Sequence, residues 1–552
     1  MRSVFAATII AVLLVLGGVG RAAAGTKPPP KGGGSSGGSA RPSGGSGGAS
    51  HSMSSGGGSH GLAGGGGGSH GPTTGGMGSH GPTTGGMGSQ GTTTGGMGSH
   101  GPTTGGTGGM GSHGPTTGGM GSHGTTSGGG KVGATPLNNR GNIGGRTASA
   151  SLGHTATGGF APKGSNTHMT KSGGAITRRP NGKISDVHDS KRGMDVHHGL
   201  NGNRRISAER PNHGRMVSER GRPGYAQRGY GYHGHDYGRR AYYYHGHEYN
   251  RYYHGYGYRG MYMNVYAPGY YYAPAFYGWA YNPWPAAIAF GWGWGGSPWY
   301  GFYGGFFAPY SVYPSAAFWL TDYVISQDLQ AAYAAHQEAG EQDGVAEGGG
   351  GAPALTPEVK QQIADEVRNQ LALENSEGQQ NAQQQDTDPG SSGIARILAE
   401  VANGHPHVFV AGGPLDLVDA NGQECSISDG DVLQLQTAPP DDATSADLFI
   451  LASKGGQECP KADTVAVQMT DLQEMQNQLR ASIDQGLQDL KAKQGTGGLP
   501  QAPPSAQAAP TQAAYAAIAP PPDPQDAAAL QQQGQQADQA EQAVTADAQS
   551  PQ

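Results

Sequence analysis

Imidazole is the side chain with the most chemistry to offer in this chain. Of 21 histidines, 18 precede residue 260. The tightest groups are His197-His198, His233-Gly234-His235 and His245-Gly246-His247. Neutral imidazole binds nickel, copper or zinc, which makes His233, His235, His245 and His247 the candidates for loose metal buffering. A structural metal site needs four ligands held in place, and a glycine-rich chain holds none of them still. The expectation is therefore no metal centre and no cofactor, with histidine as a polar spacer. Nucleophile and phosphate motifs are missing as well. There is no Walker loop and no His-Glu-x-x-His pair. The many Gly-x-Gly matches lack a strand before and a helix after, so they carry no phosphate-binding weight. Asp429 and Asp431 read as a strand-joining turn rather than paired catalytic carboxylates, and His405 and His407 as structural. No enzyme activity is expected.

The second constellation is basic and aromatic. Residues 131–260 hold 21 Lys or Arg against 7 Asp or Glu, and 225–259 interleave Tyr, Gly, His and Arg. Arginine and tyrosine associate by cation–π contact. Inside a cell this mixture would suggest single-stranded nucleic acid, but export makes that partner less available. An anionic envelope glycan, an anionic lipid surface, copies of the same chain or its own acidic part fit better. Residues 321–552 carry 33 acids against 8 bases, so a net charge of −6 conceals a basic half and an acidic half.

Export is read from the start of the chain. Arg2, the uncharged run Val4 to Val19 and Ala22-Ala23-Ala24 form a signal peptide over residues 1–24. The product belongs in the periplasm, at the outer membrane or outside the cell. In such a compartment the two cysteines, Cys425 and Cys459, pair as a disulfide.

The elements that must position these groups look few. Glycine supplies 103 of 552 residues, hydrophobic types 34% and charged types 13%, far from the composition of a single large core. The expected fold is a largely disordered, low-complexity chain with isolated helices and a small C-terminal α+β unit. Residues 25–130 are a glycine-rich arm of decapeptide repeats such as Gly-Pro-Thr-Thr-Gly-Gly-Met-Gly-Ser-His at 71–80. Residues 131–259 read as a basic disordered segment. Residues 260–314 carry no charge and are rich in Trp, Tyr, Gly and Pro, which predicts a sticky, irregular segment rather than a membrane-spanning helix. A helix follows over 315–338, then an amphipathic helix over 355–375 that starts at Thr356-Pro357-Glu358. Residues 394–494 form the best globular candidate. Strands are predicted at His407–Ala411, Leu415–Asp419, Gln423–Ile427, Val432–Thr437, Leu448–Ser453 and Thr464–Met469, in a small barrel or sandwich. A helix over 470–494, opened by a Thr470/Gln473 capping box, completes the unit. Residues 495–552 read as a disordered Pro/Ala/Gln tail. Homo-oligomers through helices 355–375 or 470–494 are expected, since a narrow apolar stripe wants a partner.

The order of segments from about Asn201 to Leu499 resembles an uncharacterised family of exported Gly/Tyr-rich envelope proteins of Gram-negative, acidobacterial-type bacteria. The resemblance rests on Asn203-Arg204-Arg205-Ile206-Ser207, Tyr277-Gly278-Trp279-Ala280-Tyr281-Asn282-Pro283-Trp284, Phe318-Trp319-Leu320-Thr321-Asp322-Tyr323, Leu355-Thr356-Pro357-Glu358-Val359-Lys360, Gly422-Gln423-Glu424-Cys425 and Asp471-Leu472-Gln473-Glu474-Met475. It implies an envelope setting and no particular chemistry. The resulting expectation is a non-enzymatic envelope or surface protein with a structural or adhesive role. One alternative is a glycan- or peptide-binding module at 394–494 on a tether, and another is histidine-based metal buffering.

Overall fold

The β-hairpin is the unit that the glycines punctuate. A computed structural model describes residues 153–339, 354–385, 387–456 and 458–549, all within one unit, Ala134–Gln552. The expected signal peptide, the decapeptide arm and the start of the basic segment lie outside the described residues. A first short hairpin joins β1 (Gly153–His154) to β2 (Phe160–Ala161). Ten strands follow: β3 (Asn166–Met169), β4 (Ala175–Arg178), β5 (Ile184–Asp189), β6 (Met194–His198), β7 (Arg204–Arg210), β8 (Gly214–Glu219), β9 (Gly224–Tyr232), β10 (His235–Tyr244), β11 (His247–Tyr258) and β12 (Met261–Ala267). From β4 on, each pairs with the strand before it, so one sheet runs β3 to β12 in chain order.

Turn chemistry sets this register. In Arg179-Pro180-Asn181-Gly182, Gly182 has φ 83°, and its N–H donates to the Arg179 carbonyl at 2.8 Å. The longer hairpins use two-residue turns with both φ positive: His233 and Gly234 at 50° and 83°, His245 and Gly246 at 47° and 80°. Such turns match the twist of the flanking strands.

After the sheet come β13 (Tyr270–Tyr271), α1 (Pro274–Tyr281), α2 (Pro298–Tyr303), α3 (Ala316–Ala339), α4 (Pro357–Ala382) and α5 (Ile394–Ala402). A second antiparallel sheet holds β14 (His407–Val410), β15 (Leu415–Asp419), β16 (Glu424–Ile427), β17 (Val432–Leu435), β18 (Ser445–Ala452) and β19 (Thr464–Gln468), in the order β14-β17-β18-β19-β15-β16. The chain ends with α6 (Met469–Lys493), β20 (Thr511–Gln512), α7 (Ala514–Ala517) and α8 (Asp526–Gln549). No helix among the described residues is long and apolar enough to cross a membrane.

The expectation of a largely disordered chain with one small folded unit is overturned by the ten-stranded sheet. Residues 166–267 are sheet, although 131–259 read as disordered. Composition misleads because each strand contributes only one or two apolar side chains. Pairing places them in register: Ile176, Val187, Val196 and Ile206 form one row across four strands. That row and Met194 pack against Ala537, Ala540 and Val544 of α8. The tail beyond 495, also expected to be disordered, therefore supplies a helix and the second wall of this core.

Charge behaves the same way. Arg204 pairs with Asp538 and Glu541, both at 2.7 Å, and Arg210 with Asp526 at 3.0 Å. Arg179 holds Asp416 at 2.9 Å and Glu424 at 2.7 Å, and Arg222 pairs with Asp429. Much of the basic half is neutralised by the acidic half of the same chain.

The uncharged aromatic segment also packs inward. Its Phe276, Tyr277, Phe307 and Tyr313 are fully buried, with Trp319 of α3, in the core that α1, α3, α4 and α6 share. The apolar stripe of α4 (Val359, Ile363, Val367, Leu371) lies in the same core, so it finds its partner helices within the chain. Thr356 caps α4 by accepting from the Val359 N–H. The capping box anticipated at Thr470 is not formed. Gln468 is the N-cap without a side-chain bond, and Gln473 accepts from the Ile394 N–H at 2.8 Å instead.

Cys425 of β16 and Cys459 form a disulfide with Cα atoms 4.9 Å apart. It closes a 34-residue separation, which in the chain-entropy model contributes about 3.5 kcal/mol. Replacing both cysteines by serine is expected to lower the melting temperature by several degrees. An unchanged melt in the Cys425→Ser/Cys459→Ser variant refutes that contribution.

Candidate functional site

The long strands β9, β10 and β11 carry the aromatic part of the sheet. On one face, Tyr230 of β9 and His254 of β11 flank Tyr237 of β10 in register. Tyr237 stacks on His254 at 4.4 Å and 15° between ring planes, and on Tyr515 of α7 at 4.8 Å and 18°. The lone tyrosine of the C-terminal tail thus closes a tyrosine cluster on the sheet. Three bonds fix it there. Tyr515 donates to the Pro268 carbonyl at 2.5 Å, its hydroxyl meets that of Tyr271 at 3.1 Å, and its carbonyl accepts from Tyr230 Oη at 2.9 Å. Pairing of β20 with β13 brings the tail to this position.

A cavity of about 170 Å³ opens beside the cluster. Its walls are Tyr232, His233, Tyr237, Tyr271 and Tyr515 on one side and Asn381, Gln384, Gln385 and Thr387, at the end of α4, on the other. That is smaller than the ~300 Å³ at which sites for drug-sized ligands begin, so it has room for a single small ring. Burial pushes the Tyr271 and Tyr515 phenols well above their ordinary range, which keeps them protonated. The lining offers ring faces, hydroxyls and carboxamides, the set that recognises a polyhydroxylated ring.

The four histidines singled out from the sequence do not converge. His233 lies in the turn before β10 and His235 opens that strand, while His245 lies in the turn after β10 and His247 opens β11, so ten residues of strand, ~33 Å, separate the pairs. His245 instead meets Glu338 at 3.1 Å. Among the described residues no group of three or more His, Cys, Asp or Glu is placed to hold a metal ion. Asp429 and Asp431 lie in the turn after β16: the Ser428 N–H donates to Asp431 at 2.8 Å, Asp429 pairs with Arg222 and Asp431 with Lys454. His407 is buried, 3.4 Å from Glu366.

The most catalytic-looking arrangement that the sequence did not reveal is His197. Its Nδ1 lies 2.9 Å from Asp186 and its Nε2 3.2 Å from Asp416. The two carboxylates overcome the burial penalty and push the imidazole up to about 10. A charged ring bonded at both nitrogens cannot act as a general base at neutral pH; here it ties β6 to β15.

The pocket residues themselves were not anticipated. Asn381, Gln384 and Gln385 lie beyond residue 375, where the amphipathic helix was expected to end, and Tyr515 in a stretch read as disordered. One sign was available: Tyr515 is the single tyrosine outside 225–333, and a bulky ring isolated among Ala and Pro marks a point where a tail docks. No family model matches the chain, and neither a curated protein nor a solved structure matches it.

Proposed function

We propose that the chain is a non-enzymatic, exported envelope protein that binds a saccharide through the tyrosine and carboxamide pocket. The observation that carries this reading is the pocket itself: a cavity for one ring, walled by five aromatic or imidazole groups and faced by Asn381, Gln384, Gln385 and Thr387. Stacking supplies affinity without charge, and the amides supply orientation. The rest of the fold acts as a rigid support, since the sheet, α4 and the tail must all be in place to form the walls. The pocket draws no lining residue from 394–494, which favours the long strands over the smaller β unit as the binding face. Its test is titration calorimetry of the full chain with envelope oligosaccharides. Gln384→Ala, at the exposed rim, is expected to weaken binding about tenfold, the scale of one lost neutral hydrogen bond with its partner left unpaired. Tyr515→Ala is expected to abolish it. Equal affinities in the wild type and both variants exclude the pocket as the binding site.

A further inference from the structure

One ion pair in the aromatic core has the geometry of two reactants. Asp322 of α3 is fully buried, and Lys360 of α4 is 4% exposed. Lys360 Nζ lies 2.6 Å from Asp322 Oδ1. The same nitrogen sits over the Tyr310 ring, 3.7 Å from its centre, and donates to the Ala308 carbonyl at 2.7 Å. The other carboxyl oxygen, Oδ2, accepts from the Tyr310 N–H at 2.6 Å and from the Tyr313 hydroxyl at 2.8 Å. Trp292 Nε1 donates to that hydroxyl in turn, at 2.6 Å. Two donors therefore converge on one oxygen of the carboxyl while an amine stands at the other.

An ion pair out of water repays its desolvation poorly. Burial pushes the Asp322 carboxyl up and the Lys360 ammonium down, and both shifts favour passing a proton from nitrogen to oxygen. What results is a free amine beside a neutral carboxylic acid. Lys454, also buried, differs. Two carboxylates, Asp431 and Glu458, face it and keep it charged despite its burial.

We propose that Lys360 and Asp322 condense to an intramolecular amide that joins α4 to α3. The amine lone pair attacks Asp322 Cγ, a C–N bond forms, and the carbonyl π pair moves onto Oδ2. The Tyr310 N–H and the Tyr313 hydroxyl are already in place to hold that developing charge. The pair then returns to rebuild the carbonyl, and the Cγ–Oδ1 bond breaks. Oδ1 leaves as water, with the proton passed to it from the ammonium and a second from the attacking nitrogen, which keeps its third hydrogen as the amide N–H. The step needs no oxidant, cofactor or external ligand, and only water has to leave the core. Proximity removes the entropic barrier of a bimolecular condensation, and a dry site protects the product from hydrolysis. The amide also abolishes two buried charges, and it pins the helix whose far end lines the pocket.

The test is mass spectrometry of the purified full chain after digestion at glutamate, which separates the two residues at Glu338 and Glu358. The expected product is one branched peptide, lighter by one water than its two parts together, with fragmentation placing the junction between Asp322 and Lys360. Lys360→Met is expected to yield no branched peptide. Tyr313→Phe keeps the ring and removes one of the two donors. It is expected to slow cross-linking ~100-fold in chain refolded from denaturant, the scale of one lost oxyanion donor. Recovery of the two wild-type peptides apart, at their sequence masses, overturns the proposal whether or not either variant folds, as does a loss of water that maps to other residues. Cross-linking of Tyr313→Phe at the wild-type rate overturns the part given to the hydroxyl.

Discussion

Deleting residues 511–549 is expected to unfold the ten-stranded sheet rather than trim a loose end. Helix α8 covers the row Ile176, Val187, Val196 and Ile206 together with Met194, all 5% exposed or less. Uncovering five such side chains costs about 10 kcal/mol at the usual value for burying each, which is of the order of the whole stability of a domain. The same cut removes Asp526, Asp538 and Glu541, the carboxylates that pair with Arg204 and Arg210. An exposed apolar row on a flat sheet is also a site for aggregation. Hydrogen exchange is the direct measurement: amides of 175–219 are expected to be protected in the full chain and to exchange freely without 511–549. A gentler version keeps the chain intact. Ala540→Glu places a carboxylate in the same buried contact and is expected to reduce protection over the same strands. A deletion variant that melts like the full chain, with those amides still protected, refutes the claim that α8 is a wall of the core.

The same contact explains where sequence reasoning succeeded and where it stopped. The six strands of the smaller sheet were legible to within a few residues, because β15, β18 and β19 each carry enough Leu, Ile and Val to be recognised alone. Helix α4 was legible from Thr356, Pro357 and a four-residue apolar spacing. The large sheet was not. A strand such as Met194–His198 offers Met194 and Val196 beside Asp195, His197 and His198, which alone looks like solvated chain. What organises it lies far along the chain, 343 residues away for His198 with Glu541 at 3.0 Å. Two signs were present and undervalued. Pro180-Asn181-Gly182, Asn201-Gly202 and Pro211-Asn212-His213-Gly214 are turn sequences, and with the later glycine turns they recur at nearly the spacing of one strand plus one turn. The opposite net charges of the two halves also called for each other. The pocket was harder to see, because it is assembled from four segments that are each unremarkable: a hairpin, the short strand β13, the end of a helix, and one tyrosine in a tail.

Arg480→Leu is expected to be the most damaging single substitution away from the pocket, and to make the loss pH-dependent. Arg480 of α6 is fully buried. It donates to the Tyr266 carbonyl of β12 at 2.9 Å and to Glu377 of α4 at 2.7 Å. Two further carboxyls share this space, Glu374 of α4 and Asp484 of α6, both buried. Burial pushes the Glu374 carboxyl up and that of Asp484 up to about 6, although Tyr266 Oη donates to Asp484 at 2.6 Å. Arg480 is the cation that makes this cluster tolerable. Removing one partner of a buried ionic group costs about 3–5 kcal/mol, and leucine leaves three carboxyls with none. The sign of the pH dependence follows from linkage. A carboxyl whose folded pKa is raised binds its proton more tightly in the folded state. Its contribution is full below the unfolded value of about 4 and is lost as pH rises through the folded value, about 6 for Asp484 in the intact chain. Without the guanidinium the folded values rise further, so the loss extends above neutrality. Urea unfolding at pH 5 and pH 8 is expected to show a larger deficit for Arg480→Leu at pH 8, and Asp484→Asn added to it is expected to recover part of that deficit. A variant within ~1 kcal/mol of the wild type at both pH values refutes the ionic role of Arg480, and a deficit that grows toward pH 5 refutes the assignment of raised carboxyls.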